Sequence, residues 1–238
     1  MKRAAWFGLL LATSLTATAQ TGATHELDSI EQRVLPCSAC HGAEGRATRE
    51  GYYPRIAGKP AGYLYNQLQN FRDNRRANAQ MTYLVQRQSD AYLMEIAQHF
   101  AQIDLPYPPP EAPRAAALVL ERGMKLARSG DAERGLPACQ SCHGERLTGV
   151  APAVPGLLGL PYDYIAAQLG SWREHIRRAQ APDCMAQIAE RLSADDVAAV
   201  AAWLAAQPMP ADTHPANTFT TPPPLQCGGL MPTAEHAP

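Results

Sequence analysis

Apolar residues recur along this chain with the period of a helix, and they do so twice. Leu64, Leu68 and Phe71 fall at i, i+4 and i+7, and Ile165, Leu169 and Trp172 repeat the spacing at an offset of 101. Farther on, Leu93, Ile96, Ala97 and Phe100 mark one stripe of a second helix, matched by Val197, Val200, Ala201 and Leu204. That spacing puts the apolar side chains on one face, as a helix lying on a core requires. Ser193, with Asp196 three residues later, reads as an N-cap with an acidic third residue. Pro208 and Pro210 stop the helix that follows. Arg114 to Arg128 reads as a further helix ending near Gly130. The predicted fold class is all-α.

The repetition lies in the residues as well as in the period. Pro54, Gly58, Pro60 and Tyr63 match Pro155, Gly159, Pro161 and Tyr164 at the same offset of 101. Gln67, Phe71, Arg72 and Arg76 then match Gln168, Trp172, Arg173 and Arg177. After a small insertion the offset becomes 104, pairing Met81 with Met185 and Ser89 with Ser193. Internal duplication follows, with tandem domains at 20–104 and 114–210. Residues 105–113 hold five prolines and read as a stiff extended linker. The Pro- and Thr-rich tail, 211–238, reads as irregular apart from whatever holds Cys227. Domains under about a hundred residues have marginal apolar cores, so each needs further buried volume.

The N-terminus has the layout of an export signal. Lys2 and Arg3 precede an apolar run from Ala4 to Leu15, and Ala17-Thr18-Ala19 is a cleavage signal, so residues 1–19 are expected to be removed. The run is too short for a membrane span, and no later stretch is long and apolar enough. The expected location is the periplasm, with at most peripheral association with membrane complexes. Without Lys2 and Arg3, 19 basic residues face 22 acidic ones, a net charge of −3. No basic stripe is present, which argues against a nucleic-acid partner.

The chemistry is carried by a pentapeptide that also occurs twice. Cys37-Ser-Ala-Cys40-His41 and Cys139-Gln-Ser-Cys142-His143 are both C-x-x-C-H, the attachment signature of a c-type haem. The two thiols add to the haem vinyl groups, and the adjacent His lies under the iron as its proximal ligand. Two motifs imply two covalent haem c groups, one per domain, whose apolar rings supply the missing core volume. A dithiol or a zinc site can also use C-x-x-C. Neither needs a His directly after both pairs, and zinc ribbons usually place their pairs closer together than these.

A methionine opposite the histidine closes such an iron and raises its potential. Met81 lies 40 residues after His41, and Met185 lies 42 after His143. Each precedes the N-cap serine of the last helix by 8 residues. Met81 and Met185 are therefore the expected sixth ligands, with core packing as the alternative; Met94 and Met124 have no such counterparts. His175, among arginines on a polar helix face, is a weaker rival. Cys184 stands beside Met185 and could ligate as a thiolate. The even Cys remainder in an exported chain favours a disulfide between Cys184 and Cys227 instead.

The full pattern resembles the di-haem class I cytochromes c of the c-four type. It runs Cys-x-x-Cys-His-Gly, Pro-x-(Ile/Leu)-x-Gly-x-Pro, Tyr-x-x-x-Gln-Leu-x-(Phe/Trp)-Arg, Met and a final helix, twice over, across about 27–210. The resemblance implies two class I cytochrome c domains related by a pseudo-twofold. It implies that the Pro54 carbonyl accepts a hydrogen bond from His41, and the Pro155 carbonyl one from His143. It aligns Tyr63, Gln67, Tyr164 and Gln168 with a helix beside the haem, where an ordinary polar helix face is the alternative. The activity implied is electron carriage between respiratory-chain components, from a quinol-oxidising complex toward a terminal oxidase, without catalytic residues. The alternatives are the cytochrome subunit of a periplasmic dehydrogenase and a haem enzyme using the second haem. A haem-based sensor has no supporting segment. The proline-rich linker and the tail depart from the pattern.

Overall fold

A computed structural model of the chain describes residues 28–48 and 51–230; the expected export signal and the last eight residues lie outside them. Two helical units follow one another. The first contains α1 (Ile30–Arg33), α2 (Leu35–His41), α3 (Ala61–Arg72), α4 (Ala79–Val85) and α5 (Asp90–Ala101). The second contains α6 (Ala117–Arg128), α7 (Cys139–His143), α8 (Tyr162–Arg173), α9 (Cys184–Arg191) and α10 (Ala194–Ala205). Among the described residues the strands are a single two-residue antiparallel pair, β1 (Gly149–Val150) with β2 (Val154–Pro155).

Each unit has its own core. In the first, α5 packs on α3 and buries Leu64, Phe71, Leu93, Ile96, Ala97 and Phe100. In the second, α10 lies between α6 and α8 and buries Ile165, Val197, Val200, Ala201 and Leu204. Leu68 and Leu169, at the middle of their stripes, are only partly buried against these cores. The closest helix contact is α6 on α10. A Cβ on Gly123 would lie 2.1 Å from the Ala199 carbonyl oxygen, so only glycine permits the approach. The α10 N-terminus is a capping box. The Ser193 hydroxyl accepts from the Asp196 N–H, and the Asp196 carboxylate accepts from the Ser193 N–H. The α6 helix starts at Ala117, three residues later than its sequence limit, after an extended N-cap at Ala116.

The linker is pinned to both units. Buried Arg55 donates to the carbonyls of Leu105 at 2.6 Å and Pro106 at 3.0 Å, and its guanidinium stacks 4.0 Å from the Tyr107 ring centroid. The Glu111 N–H donates to Ala205 O in the second unit. Prolines lack N–H groups but leave carbonyls free, and Arg55 supplies the donors those carbonyls lack.

A local twofold relates the units where they meet. Asn74 and His175 each end a helix in the left-handed region, at φ 55° and 57°. Two residues later, Arg76 and Arg177 pair with each other as an antiparallel bridge. Repeat-equivalent residues can pair antiparallel to each other only about a twofold axis between them. The Arg178 N–H donates to Arg75 O at 2.6 Å and the Ala77 N–H to Ile176 O at 3.2 Å across the same seam.

Candidate haem sites

The α2 and α7 turns present the two pentapeptides to one continuous cavity of about 890 Å³ between the units. All four motif cysteines, Cys37, Cys40, Cys139 and Cys142, lie on its wall, and none of the four is disulfide-bonded. Burial pushes the thiols of Cys37 and Cys139 up to about 11. They are therefore neutral S–H groups near pH 7 when nothing is bound to them. Among the described residues, no cluster of three or more His, Cys, Asp or Glu side chains converges as a metal-ion site would require.

His41 and His143 are buried on the same wall. Nδ1 of each lies 2.8 Å from a proline carbonyl, Pro54 for His41 and Pro155 for His143. A carbonyl can only accept, so Nδ1 carries the proton and Nε2 is left with its lone pair. Burial lowers both imidazole pKa values and the proline carbonyls partly oppose it, which keeps the rings neutral. A neutral imidazole with a fixed tautomer is the form that binds iron.

Met81 and Met185 also line the cavity, each in the first turn of a short helix. The Asn78 side chain caps α4 by accepting from the Met81 N–H at 3.0 Å, and Asp183 caps α9 by accepting from the Ala186 N–H at 3.0 Å. Cys184 is bonded to Cys227, so it holds no thiolate beside Met185. His175 lies on its exposed turn, off the cavity wall.

One end of the cavity is polar. The Gln67 carboxamide oxygen accepts from Arg76 at 3.1 Å and Arg177 at 2.9 Å. The Gln168 oxygen accepts from the same two guanidiniums, at 2.7 Å each. Tyr164 accepts from Arg76 at 3.2 Å, and Tyr63 pairs with Arg177. Arg177 is 5% exposed, and burial, together with the like charge of Arg76, lowers it to about 10. Among the described residues no carboxylate pairs with either arginine. Beside them, the buried Trp172 indole N–H has no acceptor, and the Arg177 guanidinium lies 3.7 Å from that ring's centroid. One buried and one half-buried cation and an unsatisfied donor at the end of an apolar cavity fit a ligand that is mostly hydrocarbon with carboxylates at one edge. Haem is such a ligand, so the residues present fit the group the motifs call for.

The sequence singles out Tyr63, Gln67, Tyr164 and Gln168 without deciding their role, and it matches Arg76 with Arg177 without giving either a role. The available signal was their match at the offset of 101. It carried no hint that both copies point at one seam.

The cytochrome c family profile matches residues 34–101 and 121–207. The chain belongs to the cytochrome c family. It is 38% identical over 173 residues to a thiosulfate dehydrogenase electron acceptor of Thiomonas intermedia, covering 73% of this chain and 79% of the relative. It is 32% identical over 198 residues to cytochrome c4 of Pseudomonas aeruginosa, covering 82% of this chain and 94% of that one. A solved thiosulfate dehydrogenase (TsdBA) from Marichromatium purpuratum superposes with a TM-score of 0.64 at 32% identity. That match covers 73% of this chain but 36% of the solved one, so the cytochrome spans about a third of that longer polypeptide. The cytochrome is thus a di-haem protein of the c4 type, all-α, with two cytochrome c domains and covalent haem c as cofactor. Its function is c4-like electron transfer.

Proposed function

We propose that this cytochrome is the periplasmic electron acceptor of a thiosulfate-oxidising dehydrogenase and passes those electrons onward to a respiratory terminal acceptor. The observation that carries the reading is the 38% identity to a protein named for that role, above the 32% to cytochrome c4. The solved thiosulfate dehydrogenase containing a stretch of this fold supports it. Among the described residues no helix is long and apolar enough to cross a membrane, which accords with a partner met in solution or at a membrane surface.

In this reading Cys37 and Cys40 hold the first haem and Cys139 and Cys142 the second. His41 and Met81 would hold the first iron, and His143 and Met185 the second. The haem supplies a one-electron change at iron. Pro54 and Pro155 hold the imidazoles in one tautomer, so neither ligand has to reorient between oxidation states. Half-buried Arg76 and buried Arg177 favour the state with the more negative charge, which is the reduced one. With a methionine at each sixth position no substrate reaches the metal, and transfer is through the haem edge.

The test mixes oxidised cytochrome with thiosulfate and a thiosulfate dehydrogenase and follows the haem absorbance. Reduction of two haems per chain, dependent on both additions, is expected. Reduction by ascorbate but not by the dehydrogenase would discard the reading and leave carriage between respiratory complexes.

A further inference from the structure

The two copies differ most around their methionine helices. At the offset of 104, Gln80, Tyr83 and Leu84 of α4 correspond to Cys184, Gln187 and Ile188 of α9. All three are exposed in the first copy and all three are half-buried in the second. The C-terminal tail makes the difference. It crosses to α9 through the Cys184–Cys227 disulfide, and the Gly228 N–H donates to Pro182 O at 3.0 Å. The fit is close, since a Cβ on Gly228 would lie 2.1 Å from the Ala181 carbonyl oxygen. Leu225 and Leu230 of the tail then join the cavity wall. The tail ends against the first domain, where Asn66 Nδ2 donates to Gly229 O at 2.8 Å. Asn66 corresponds to Ala167 in the other copy, so no equivalent tether exists there.

Among the described residues, none covers the same surface on the first domain as the tail covers the second. The α4 sequence, Ala-Gln-Met-Thr-Tyr-Leu-Val, has no charged residue. Tyr83 is 76% exposed and Leu84 39%, and Leu84 also lines the cavity, so apolar surface runs from solvent to the haem site. Interprotein electron transfer needs the two cofactor edges close together, with water and fixed charge kept from between them. An uncharged, partly apolar rim at a cofactor cavity suits that contact. The second domain has its corresponding rim filled by the chain's own leucines and a covalent bond.

We infer that the exposed face of α4, centred on Tyr83 beside Leu84, is the docking surface for the electron-donating dehydrogenase, and that the tail closes the equivalent face of the second domain to it. The occupant is a redox protein presenting an uncharged apolar rim around its own haem edge. The inference rests on the proposed function. Incoming electrons then reach the first haem before the second.

The test measures the second-order rate at which a thiosulfate-reduced dehydrogenase reduces the haem-loaded cytochrome, with ascorbate reduction as the reference reaction. Tyr83→Lys and Tyr83→Glu should each slow the dehydrogenase reaction about tenfold or more, whatever the sign of the charge, because both place a charge in an apolar contact. Ascorbate reduction should not change. Gln187→Lys, at the corresponding position under the tail, should leave both rates within about twofold. If Tyr83→Lys and Tyr83→Glu keep the wild-type rate, or shift it in opposite directions as distant steering would, the docking surface is overturned. A dominant loss at Gln187 overturns it equally. If the unaltered cytochrome accepts electrons from ascorbate and never from the dehydrogenase, it is the proposed function that fails.

Discussion

Gln67 and Gln168 share two arginines. Each carboxamide oxygen accepts from both Arg76 and Arg177, so neither domain satisfies its own seam without the other. Hydrogen bonds to charged donors are worth about 1.5–3 kcal/mol, and partners in one network do not act additively. Gln67→Ala and Gln168→Ala should each destabilise the haem-loaded protein within that range. The double variant should differ from the sum of the singles by about 0.5 kcal/mol or more, measured by denaturant unfolding. Simple additivity would show that the two glutamines do not act through common donors.

Methionine replacement addresses the two irons separately. Met81→Ala should let the reduced first haem bind carbon monoxide rapidly while the second stays closed, and Met185→Ala should do the reverse. Rapid binding to the second haem of the unaltered protein would revive an enzymatic role for that site.

The tail bond closes a segment with a sequence separation of 43 residues. Chain-entropy reasoning puts its stabilisation at about 3–4 kcal/mol. A Cys184→Ser, Cys227→Ser double variant should lose roughly that amount in urea unfolding. It should also bind carbon monoxide faster at the second haem than at the first, because Met185 adjoins the bond. Equal rates at the two haems would separate the tail from the ligand.

Asp196 predicts an acid limit. Burial alone would raise its carboxyl, but Arg134, the Ser193 N–H and Arg122 outweigh that and hold it well below the usual carboxylate range. The folded value is below the unfolded one, near 3.9. The contribution to stability is therefore complete above about pH 4 and is lost as the pH falls toward the folded value. Asp196→Ala should cost about 1–3 kcal/mol near neutrality, since it removes the buried carboxylate that accepts from the Ser193 N–H and from two partly exposed arginines. It should also flatten the acid limb of a stability–pH curve. An unchanged acid limb would assign that limb to other carboxylates.

Much of this architecture was legible in residue spacing because duplication prints every important position twice. The stripes at Leu93–Phe100 and Val197–Leu204, the Ser193 cap and the pentapeptides are local patterns, and local chemistry decides them. Asymmetric and long-range features left no such trace. Arg55 reaching the linker carbonyls, Gly123 against Ala199 and Asn66 against Gly229 each join segments far apart in the chain. Nothing in the neighbouring residues encodes those contacts. The pairing of Arg76 with Arg177 was hidden for a different reason. Two matching residues in a repeat look like two copies of one role until a twofold axis brings them together.

The tail also has a consequence in time. A polypeptide synthesised N-terminus first delivers Cys37, His41, Pro54 and Met81 early, and the first core is complete in sequence by Phe100. The second site reaches its final wall only when Leu230 arrives. The two halves, alike in their chemistry, are therefore finished in a fixed order, and a chain cut short before Cys227 would have its first core complete and its second site without its last side.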